Sequence, residues 1–347
     1  MLANWFEQTI RRYEHRRWAD EKNRRNLPFA WGLEHIGGSA SDRNPREFLD
    51  SFVAATLATS EDWFSPKPRS RFDFTPSPEA PGETGVLTFT SAIESPWPEN
   101  NTVYGRFFQA RHSGPAVIVL SQWNAKWHEQ VSVCRWLQRI GISALRLSLP
   151  YHDRRAIAGH PRGDHLVGPS IGLTLQANRQ AVCDARGCLH WLASQGYDKL
   201  GIVGTSVGSS IAFVTTAHEP LLRAGVFLHV STYFGAVVAN GLTTTNVWES
   251  LKTNVTAEEL QRYWSPVSPF PYIAKLRGKG KLLLAVTGSF DPTFWRELSD
   301  EFLEALKENE VPCDFLRLPC GHYSLGEPPF SYIAGLRFGE FLFRALG

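Results

Sequence analysis

No run of apolar residues in this sequence approaches the ~20 that a membrane-spanning helix needs. Neither sign of charge dominates, because 36 basic and 34 acidic residues leave a formal net charge of +2. This balance gives no electrostatic reason to expect a nucleic-acid partner. Residues 1–25 interleave charged and aromatic side chains, and they lack the apolar segment and the cleavage site of a secretory signal. We therefore expect a cytoplasmic protein with no transmembrane segment.

Cysteine is also scarce. The five cysteines are Cys134, Cys183, Cys188, Cys313 and Cys320. An odd number without the spacing of a disulfide framework predicts free thiols in a reducing compartment. The sequence lacks the G-x-G-x-x-G fingerprint of dinucleotide sites and the G-x-x-x-x-G-K-[ST] pattern of phosphate-binding loops. We therefore predict no cofactor.

Residues 1–84 differ in pattern from the rest of the chain. The first 25 residues have helical potential and mixed charges, and prolines cluster between Ser65 and Gly82 as in a connector. We predict a helical extension followed by this Pro-rich connector. The mixed charges favour packing against the protein itself over a membrane surface. Contacts between the copies of a homo-oligomer are another use open to this extension.

From Gly85 onward, apolar runs alternate with stretches of helical potential. Residues 86–89 and 103–108 alternate like paired antiparallel strands, whereas Ala116–Leu120 is continuously apolar, as in a strand buried on both faces. The alternation predicts an α/β domain over residues 85–347, with a mainly parallel sheet of about eight strands and helices on both faces. Residues 231–280 lack strand character and are rich in aromatics, which favours a small lid over a purely structural insertion.

The strongest chemical signal is Gly204-Thr205-Ser206-Val207-Gly208, which fits G-x-S-x-G. An apolar strand precedes it and a helix-compatible run follows it. A nucleophile elbow holds its serine in a strained turn, where flanking small residues let strand and helix approach closely. The N terminus of the helix then offers N–H groups to a developing oxyanion. The plainer alternative is a glycine-bearing turn with an ordinary serine.

Two further residues follow later strands. Asp291 comes after the apolar run 282–287, and His322 comes after the run 313–318. Parallel strands present the loops at their carboxyl ends on one edge, where open α/β sheets place their sites. Alone, Asp291 could cap a helix and His322 could be an ordinary loop histidine. The chain order serine, aspartate, histidine favours a catalytic triad.

On these motifs the chain resembles the α/β-hydrolase superfamily over residues 85–347. The resemblance implies that Ser206 is the nucleophile, His322 the general base and Asp291 the acid that orients it. It also implies the α/β-hydrolase fold. The run Pro150-Tyr151-His152-Asp153-Arg154-Arg155 is similar to a loop of poorly characterised α/β-hydrolase-domain proteins.

The sequence departs from that family after the third strand. Many members have His-Gly or a glycine-rich run there, whereas this chain has Ser121-Gln122-Trp123-Asn124. By position, the backbone N–H groups of Trp123 and Val207 would form the oxyanion hole, with Gln122 as the other candidate. A backbone donor does not depend on residue type, so the hole survives this departure.

The loop after the fourth strand is rich in histidine, aspartate and arginine. Its spacing fits no metal-ligand signature, so we predict no metal site. A structural role, with arginines bridging loops, competes with recognition of an anionic group of the substrate by Arg154, Arg155 or Arg162. The candidate substrate-binding residues are Gln122, Tyr151, His152, Arg154 and Arg155.

These residues together predict a serine hydrolase that cleaves an ester, or a related acyl bond of a small molecule, through an acyl-enzyme. Peptidase, thioesterase and acyltransferase activities are alternatives within catalysis. The alternative from another class is a non-catalytic protein that uses this fold for binding.

Overall fold

Nine strands form one sheet in the computed structural model of the chain. The structure describes residues 2–21, 24–39, 41, 44–65, 71–76, 78–110, 114–160 and 162–347. The strands are β1 (Asp73–Thr75), β2 (Gly85–Thr90), β3 (Thr102–Phe108), β4 (Ala116–Leu120), β5 (Ser143–Leu147), β6 (Leu200–Thr205), β7 (Leu222–Leu228), β8 (Leu282–Gly288) and β9 (Asp314–Leu318). Their order across the sheet is β1-β2-β3-β5-β4-β6-β7-β8-β9.

The sheet is antiparallel at one side and parallel over the rest. The pairs β1–β2, β2–β3 and β3–β5 are antiparallel, and all pairs among β5, β4, β6, β7, β8 and β9 are parallel. The predicted mainly parallel sheet is confirmed, with nine strands instead of about eight. The added strand is β1, whose three residues are all exposed at the sheet edge. Loops that follow the parallel strands share one edge of the sheet.

Helices cover both faces of this sheet. They are α1 (Leu2–Asp20), α2 (Pro45–Ala58), α3 (Ser60–Trp63), α4 (Val131–Arg139), α5 (Ile171–Ser194), α6 (Val207–His218), α7 (Phe234–Asn240), α8 (Thr245–Leu251), α9 (Ala257–Tyr263), α10 (Arg296–Glu308) and α11 (Phe330–Leu346). Ala116, Ile118 and Leu120 of β4 join an apolar cluster with α5, α6 and α10, whereas Val117 and Val119 join one with α1, α4 and α11. This alternation is the two-residue period of a strand buried on both faces.

The residues that precede β2 pack against the rest of the chain. Helix α1 contributes Ile10 to the second apolar cluster, so it packs on its own protein, as its mixed charges favoured. An ion pair of 2.8 Å between Arg46 and Glu259 joins α2 to α9. Part of the predicted connector, residues 66–70 and 77, lies outside the described residues. The division of the chain at residue 84 stays a prediction.

Three short helices, α7 to α9, occupy much of the segment 231–280. Phe234, Tyr263, Trp264 and Tyr272 are buried, and the indole of Trp264 donates to the carbonyl of Ile171 at 3.2 Å. Most aromatics of this segment therefore belong to the core. Closure of the segment over a substrate, as a lid, stays a prediction.

The described part of the chain contains no helix that is long and apolar enough to cross a membrane. All five cysteines are free, and four of them are buried. Burial raises the pKa of the Cys134 thiol to about 12, so this thiol stays protonated and unreactive. The predicted free thiols are confirmed.

Candidate active site

The serine of the G-x-S-x-G motif occupies a sharp turn between β6 and α6. Ser206 has a φ of 58° and a ψ of −123°, a combination that costs backbone energy for any residue with a side chain. Gly204 and Gly208 permit the turn. A Cβ on Gly204 would overlap the Gly208 carbonyl, and a Cβ on Gly208 would lie 2.5 Å from the carbonyl oxygen of Ser121. The local sequence therefore places Ser206 in a strained turn at the N terminus of α6.

Asp291 lies in the loop that follows β8. Its Oδ1 accepts backbone hydrogen bonds from Thr293 at 2.7 Å and Phe294 at 2.9 Å, and its Oδ2 lies 3.1 Å from Nδ1 of His322. Burial alone would raise the pKa of Asp291, but the charges of His322 and His229 and their hydrogen-bonding contacts hold it well below its usual range. The carboxylate is therefore ionised and fixed in orientation.

His322 lies in residues 319–327, here called the histidine loop, which follows β9. The N–H of Phe290 donates to the carbonyl of Cys320 at 2.9 Å, which ties this loop to the loop of Asp291. The His322 ring stacks on Phe294, with centroids 5.6 Å apart and an interplanar angle of 1°. Burial alone would lower the pKa of His322, but the Asp291 carboxylate raises it above its ordinary value. Because Nδ1 faces Asp291, Nε2 is left for another partner.

Ser206 and His322 reach the same edge of the sheet from different strands. The N–H of Ser206 donates to the carbonyl of Leu228 at 2.9 Å. The next residue, His229, has its ring centroid 4.5 Å from that of His322. Within the described part of the chain, the Ser206 hydroxyl makes no hydrogen bond to the His322 ring. Bonds between a nucleophile and its base are often long before substrate binds, so this geometry is compatible with a triad.

His229, directly after β7, is a site residue that the sequence analysis missed. Its Nδ1 lies 2.7 Å from Oδ2 of Asp291, although the N–H direction is not that of a well-aligned hydrogen bond. The ring is buried, and burial lowers its pKa below the ordinary histidine value despite the nearby carboxylate. The available signal was a histidine that follows a buried apolar strand. His229 and His322 therefore share one oxygen of Asp291.

His229, Asp291 and His322 also offer three potential metal ligands within 4.8 Å of one another. A tetrahedral zinc site would need a fourth ligand at a comparable distance. It would also use a carboxylate oxygen of Asp291, whose Oδ2 lies 3.1 Å from Nδ1 of His322. Metal binding and a triad are therefore competing uses of the same atoms.

Val207 and Trp123, the predicted oxyanion-hole donors, follow β6 and β4, which are neighbouring strands of the sheet. Val207 begins α6, and the close approach of Gly208 to the carbonyls of Ser121 and Leu120 brings the loop after β4 against the first turn of this helix. Among the described residues, neither the N–H of Val207 nor that of Trp123 donates to a protein acceptor. Both donors are therefore free to bind a ligand oxygen.

Side-chain contacts fix the loop after β4. The indole of Trp123 donates to the carbonyl of Gly163 at 2.9 Å. The amide of Gln122 donates to Glu129 and accepts from Gln130, both at 2.9 Å. The Gln122 side chain is thus already hydrogen-bonded within the protein. Its backbone N–H, like that of Trp123, donates to no acceptor among the described residues, so Gln122 stays the other candidate for the oxyanion hole.

Two substrate-binding candidates after β5, Tyr151 and His152, are buried. The Tyr151 ring packs edge-on against Trp97, with centroids 5.8 Å apart. The His152 ring lies between the N–H of Asn124, 2.9 Å from Nε2, and the carbonyl of Pro150, 2.8 Å from Nδ1. Burial lowers the pKa of His152 to about 4, so the ring is neutral near pH 7. His152 therefore supports the loop that carries the Trp123 N–H.

The arginines of this loop differ in their partners. Arg155 is fully buried and pairs with Asp184 at 2.9 Å, whereas Arg154 pairs with Glu79 and lies over the ring of Trp127, 4.2 Å from its centroid. Both guanidinium groups thus bridge parts of the protein, as expected for arginines with a structural role. Substrate binding by Arg154 or Arg155 stays a prediction.

Arg162 is the third arginine of that loop. Its guanidinium lies over the Trp123 ring at 5.2 Å from the centroid, and its Nε lies 3.3 Å from Asp164. Its Nη2 is buried with no hydrogen-bond partner among the described residues. Arg162 therefore keeps a donor that an anionic ligand could use.

No protein-family model matches the chain, and a search of curated proteins finds no match. Solved structures do match. The acylaminoacyl peptidase of Pyrococcus horikoshii aligns with a TM-score of 0.59 and 14% identity over 80% of this chain, which spans only 42% of the peptidase chain.

Two smaller proteins align over most of their own length. Acetyl xylan esterase 1 of a Thermoanaerobacterium species has a TM-score of 0.60 and 13% identity, over 84% of this chain and 93% of that one. A putative dienelactone hydrolase of Klebsiella pneumoniae has a TM-score of 0.53 and 18% identity, over 75% of this chain and 99% of that one. At these identities the likeness concerns the fold.

Proposed function

We propose that the chain, which has the α/β-hydrolase fold predicted for it, is a serine hydrolase with Ser206 as nucleophile. The observation that carries the proposal is the strained turn at Ser206, on the same edge of the sheet as the paired Asp291 and His322. A buried ionised carboxylate beside an imidazole, near a hydroxyl at a helix N terminus, is the arrangement that acyl transfer needs.

The proposed reaction begins when Ser206 Oγ attacks the carbonyl carbon of the substrate. Nε2 of His322 accepts the hydroxyl proton, since Nδ1 is held by Asp291. The ionised Asp291 keeps the imidazole in this tautomer and stabilises the imidazolium that forms. His322 then donates the proton to the leaving group, and a water molecule cleaves the acyl-enzyme by the reverse sequence of transfers.

We assign the oxyanion hole to the N–H groups of Val207 and Trp123. Each such donor typically contributes about 3 kcal/mol to the transition state. The position of Val207 at the first turn of α6 adds the positive end of the helix dipole.

We propose an ester of a small molecule as the substrate class. Acetyl xylan esterase among the similar structures agrees with an ester, and the acylaminoacyl peptidase makes a peptidase the second candidate. We further propose Arg162, whose buried Nη2 has no hydrogen-bond partner among the described residues, as the contact for an anionic group of the substrate. Five free cysteines agree with a cytoplasmic site of action, which we also propose.

The test of Ser206 is covalent labelling by a fluorophosphonate, with mass spectrometry to map the adduct. Wild-type protein is expected to be labelled on Ser206, and Ser206→Ala is expected to lose both labelling and ester hydrolysis. Ser210→Ala is the matched control, because Ser210 is also a buried serine and lies in the first turn of α6, four residues after Ser206. Substantial hydrolysis by Ser206→Ala would refute the proposal. An unlabelled but folded wild-type protein would favour the non-catalytic binding protein instead.

A further inference from the structure

Helix α1 carries a buried carboxylate that faces the histidine loop. The side chain of Glu14 is fully buried. Its Oε2 accepts the N–H of Tyr323 at 2.8 Å, and its Oε1 accepts the N–H of Ser324 at 2.9 Å and the hydroxyl of Ser324 at 2.8 Å. One carboxylate therefore binds three donors of the loop that carries His322.

These bonds reach both sides of His322. The Ser324 hydroxyl that donates to Glu14 also accepts the N–H of Gly321 at 2.8 Å. Gly321 precedes the histidine, and Tyr323, held directly by Glu14, follows it. A Cβ on Gly321 would lie 2.5 Å from Oε1 of Glu14, so the glycine makes room for the carboxylate. The backbone on each side of His322 is thus fixed through a single side chain of α1.

Helix α1 and Glu21, the residue that follows it, make further contacts with the loops of the site. The Tyr13 hydroxyl donates to Glu327 at 3.0 Å, and the Tyr323 hydroxyl donates to Glu21 at 2.9 Å. The ring of Phe6 packs edge-on against Phe290 in the loop of Asp291, with centroids 6.4 Å apart. Helix α1 therefore contacts both the acid loop and the histidine loop.

A helix that only covered the core would not need a charge at this position. Burying a carboxylate costs several kcal/mol unless hydrogen bonds compensate it, and an apolar residue of similar size would avoid that cost. Ile10 already supplies apolar packing from the same helix. The buried charge of Glu14 is instead matched to the donors of one loop, which indicates a role in the conformation of that loop.

We propose that Glu14 is a positioning residue for His322, through which helix α1 holds the histidine loop in the conformation that places Nδ1 against Asp291. This rests on the proposed function, in which that imidazole is the general base. The N-terminal helix is then part of the catalytic apparatus, although it contributes no group that touches substrate.

The charges around His322 give the proposal a second observable. Asp291 faces the ring from the loop after β8, His229 from the end of β7, Glu14 from α1, and Glu21 from the residue that follows α1. Burial lowers the pKa of His322, whereas Asp291, then Glu14 and Glu21, raise it. Removal of the Glu14 charge should therefore lower the pKa of His322, an effect that loss of fold stability alone would not produce.

The experiment compares Glu14→Gln with Glu7→Gln in the full chain. Glu7 is the matched control because it is a partly exposed glutamate of α1 whose ion pair among the described residues is with Arg11 on the same helix. One arm follows the His322 ring by NMR titration, with the resonance assigned through His322→Gln. The other arm measures the maximal rate and the half-saturating concentration for fluorophosphonate labelling of Ser206.

We expect Glu14→Gln to lower the pKa of His322 and to slow maximal labelling about tenfold to a hundredfold, the scale that follows a misplacement of ~1 Å. The half-saturating concentration should change little, and Glu7→Gln should behave like wild type in both arms. A folded Glu14→Gln protein with a wild-type labelling rate would overturn the proposal, whatever its titration, because loss of the charge alone lowers the pKa of His322.

Ser324→Ala keeps the test decisive if Glu14→Gln does not fold. It removes the link between Glu14 and Gly321 but leaves both backbone bonds of Glu14 in place. Maximal labelling should then fall about twofold to tenfold at an unchanged half-saturating concentration, and a wild-type rate would overturn the proposal. If wild-type Ser206 is not labelled at all, the hydrolase proposal fails. The NMR titration of His322 in Ser324→Ala, which keeps the Glu14 charge and loses the link to Gly321, then decides the positioning role: a shifted pKa supports it and a wild-type pKa overturns it.

Discussion

Replacement of Gly208 by alanine should uncouple the two halves of the proposed oxyanion hole. The new Cβ would lie 2.5 Å from the Ser121 carbonyl oxygen and 2.8 Å from that of Leu120. Both neighbours are backbone atoms, so no side-chain rotation relieves the overlap. Ordinary contact begins near 3.4 Å, so α6 and the loop after β4 must separate by about 0.9 Å (3.4 − 2.5). The Val207 and Trp123 donors move apart with them.

This displacement sets the size of the expected effects. A shift of ~1 Å in catalytic geometry can cost about 100-fold in rate, and the loss of one oxyanion donor costs about 100- to 1,000-fold. Overpacking typically lowers the free energy of unfolding by about 1–3 kcal/mol. The higher helix propensity of alanine than of glycine offsets at most about 1 kcal/mol of this loss. We therefore expect Gly208→Ala to fold, with a kcat for ester hydrolysis reduced about 100-fold.

Gly335→Ala is the matched control, since Gly335 also lies in a helix and a Cβ there would meet nothing within 4 Å. It should keep wild-type kcat and gain up to about 1 kcal/mol of stability. Steady-state kinetics and urea unfolding on both variants separate the two effects. A Gly208→Ala protein with wild-type kcat would refute the assignment of these donors.

Two other predictions concern recognition and pH. Arg162→Leu should raise KM at least about tenfold for an ester that carries a carboxylate, which corresponds to the loss of a charged hydrogen bond, and should leave KM for a neutral ester unchanged. Arg154→Leu is the control. If Arg162→Leu raised KM equally for both esters, the result would contradict a role of Arg162 in binding the anionic group. The pKa of His322 is raised and the base must be neutral, so kcat/KM should rise with pH through a midpoint above about 6.5. A pH–rate profile with a lower midpoint would argue against His322 as the base.

The sequence was sufficient to predict the sheet and the chain order of the three candidate catalytic residues. Eight of the nine strands appear as apolar or alternating runs, since burial dictates their composition. The serine, aspartate and histidine of the candidate site follow three of these strands, and parallel strands bring such loops to one edge. β1 escaped prediction because its three residues are exposed and pair with one neighbour only.

Other parts of the site depend on contacts that no local pattern encodes. Glu14 and Ser324 are 310 positions apart, and nothing around Glu14 distinguishes it from the other charged residues of α1. The ion pair of Arg155 with Asp184 likewise joins a loop to the middle of α5. Spacing could suggest arginines for an anion, but only the fold reveals which guanidinium groups already have partners.

The contact between Glu14 and the histidine loop also bears on the course of folding. A contact that spans 310 positions closes a loop of nearly the whole chain, and such non-local contacts form late because their chain entropy must be overcome first. All three donors that Glu14 binds lie in the histidine loop, so these bonds form only when the two ends of the chain have come together. We therefore expect His322 to reach its final position late in folding.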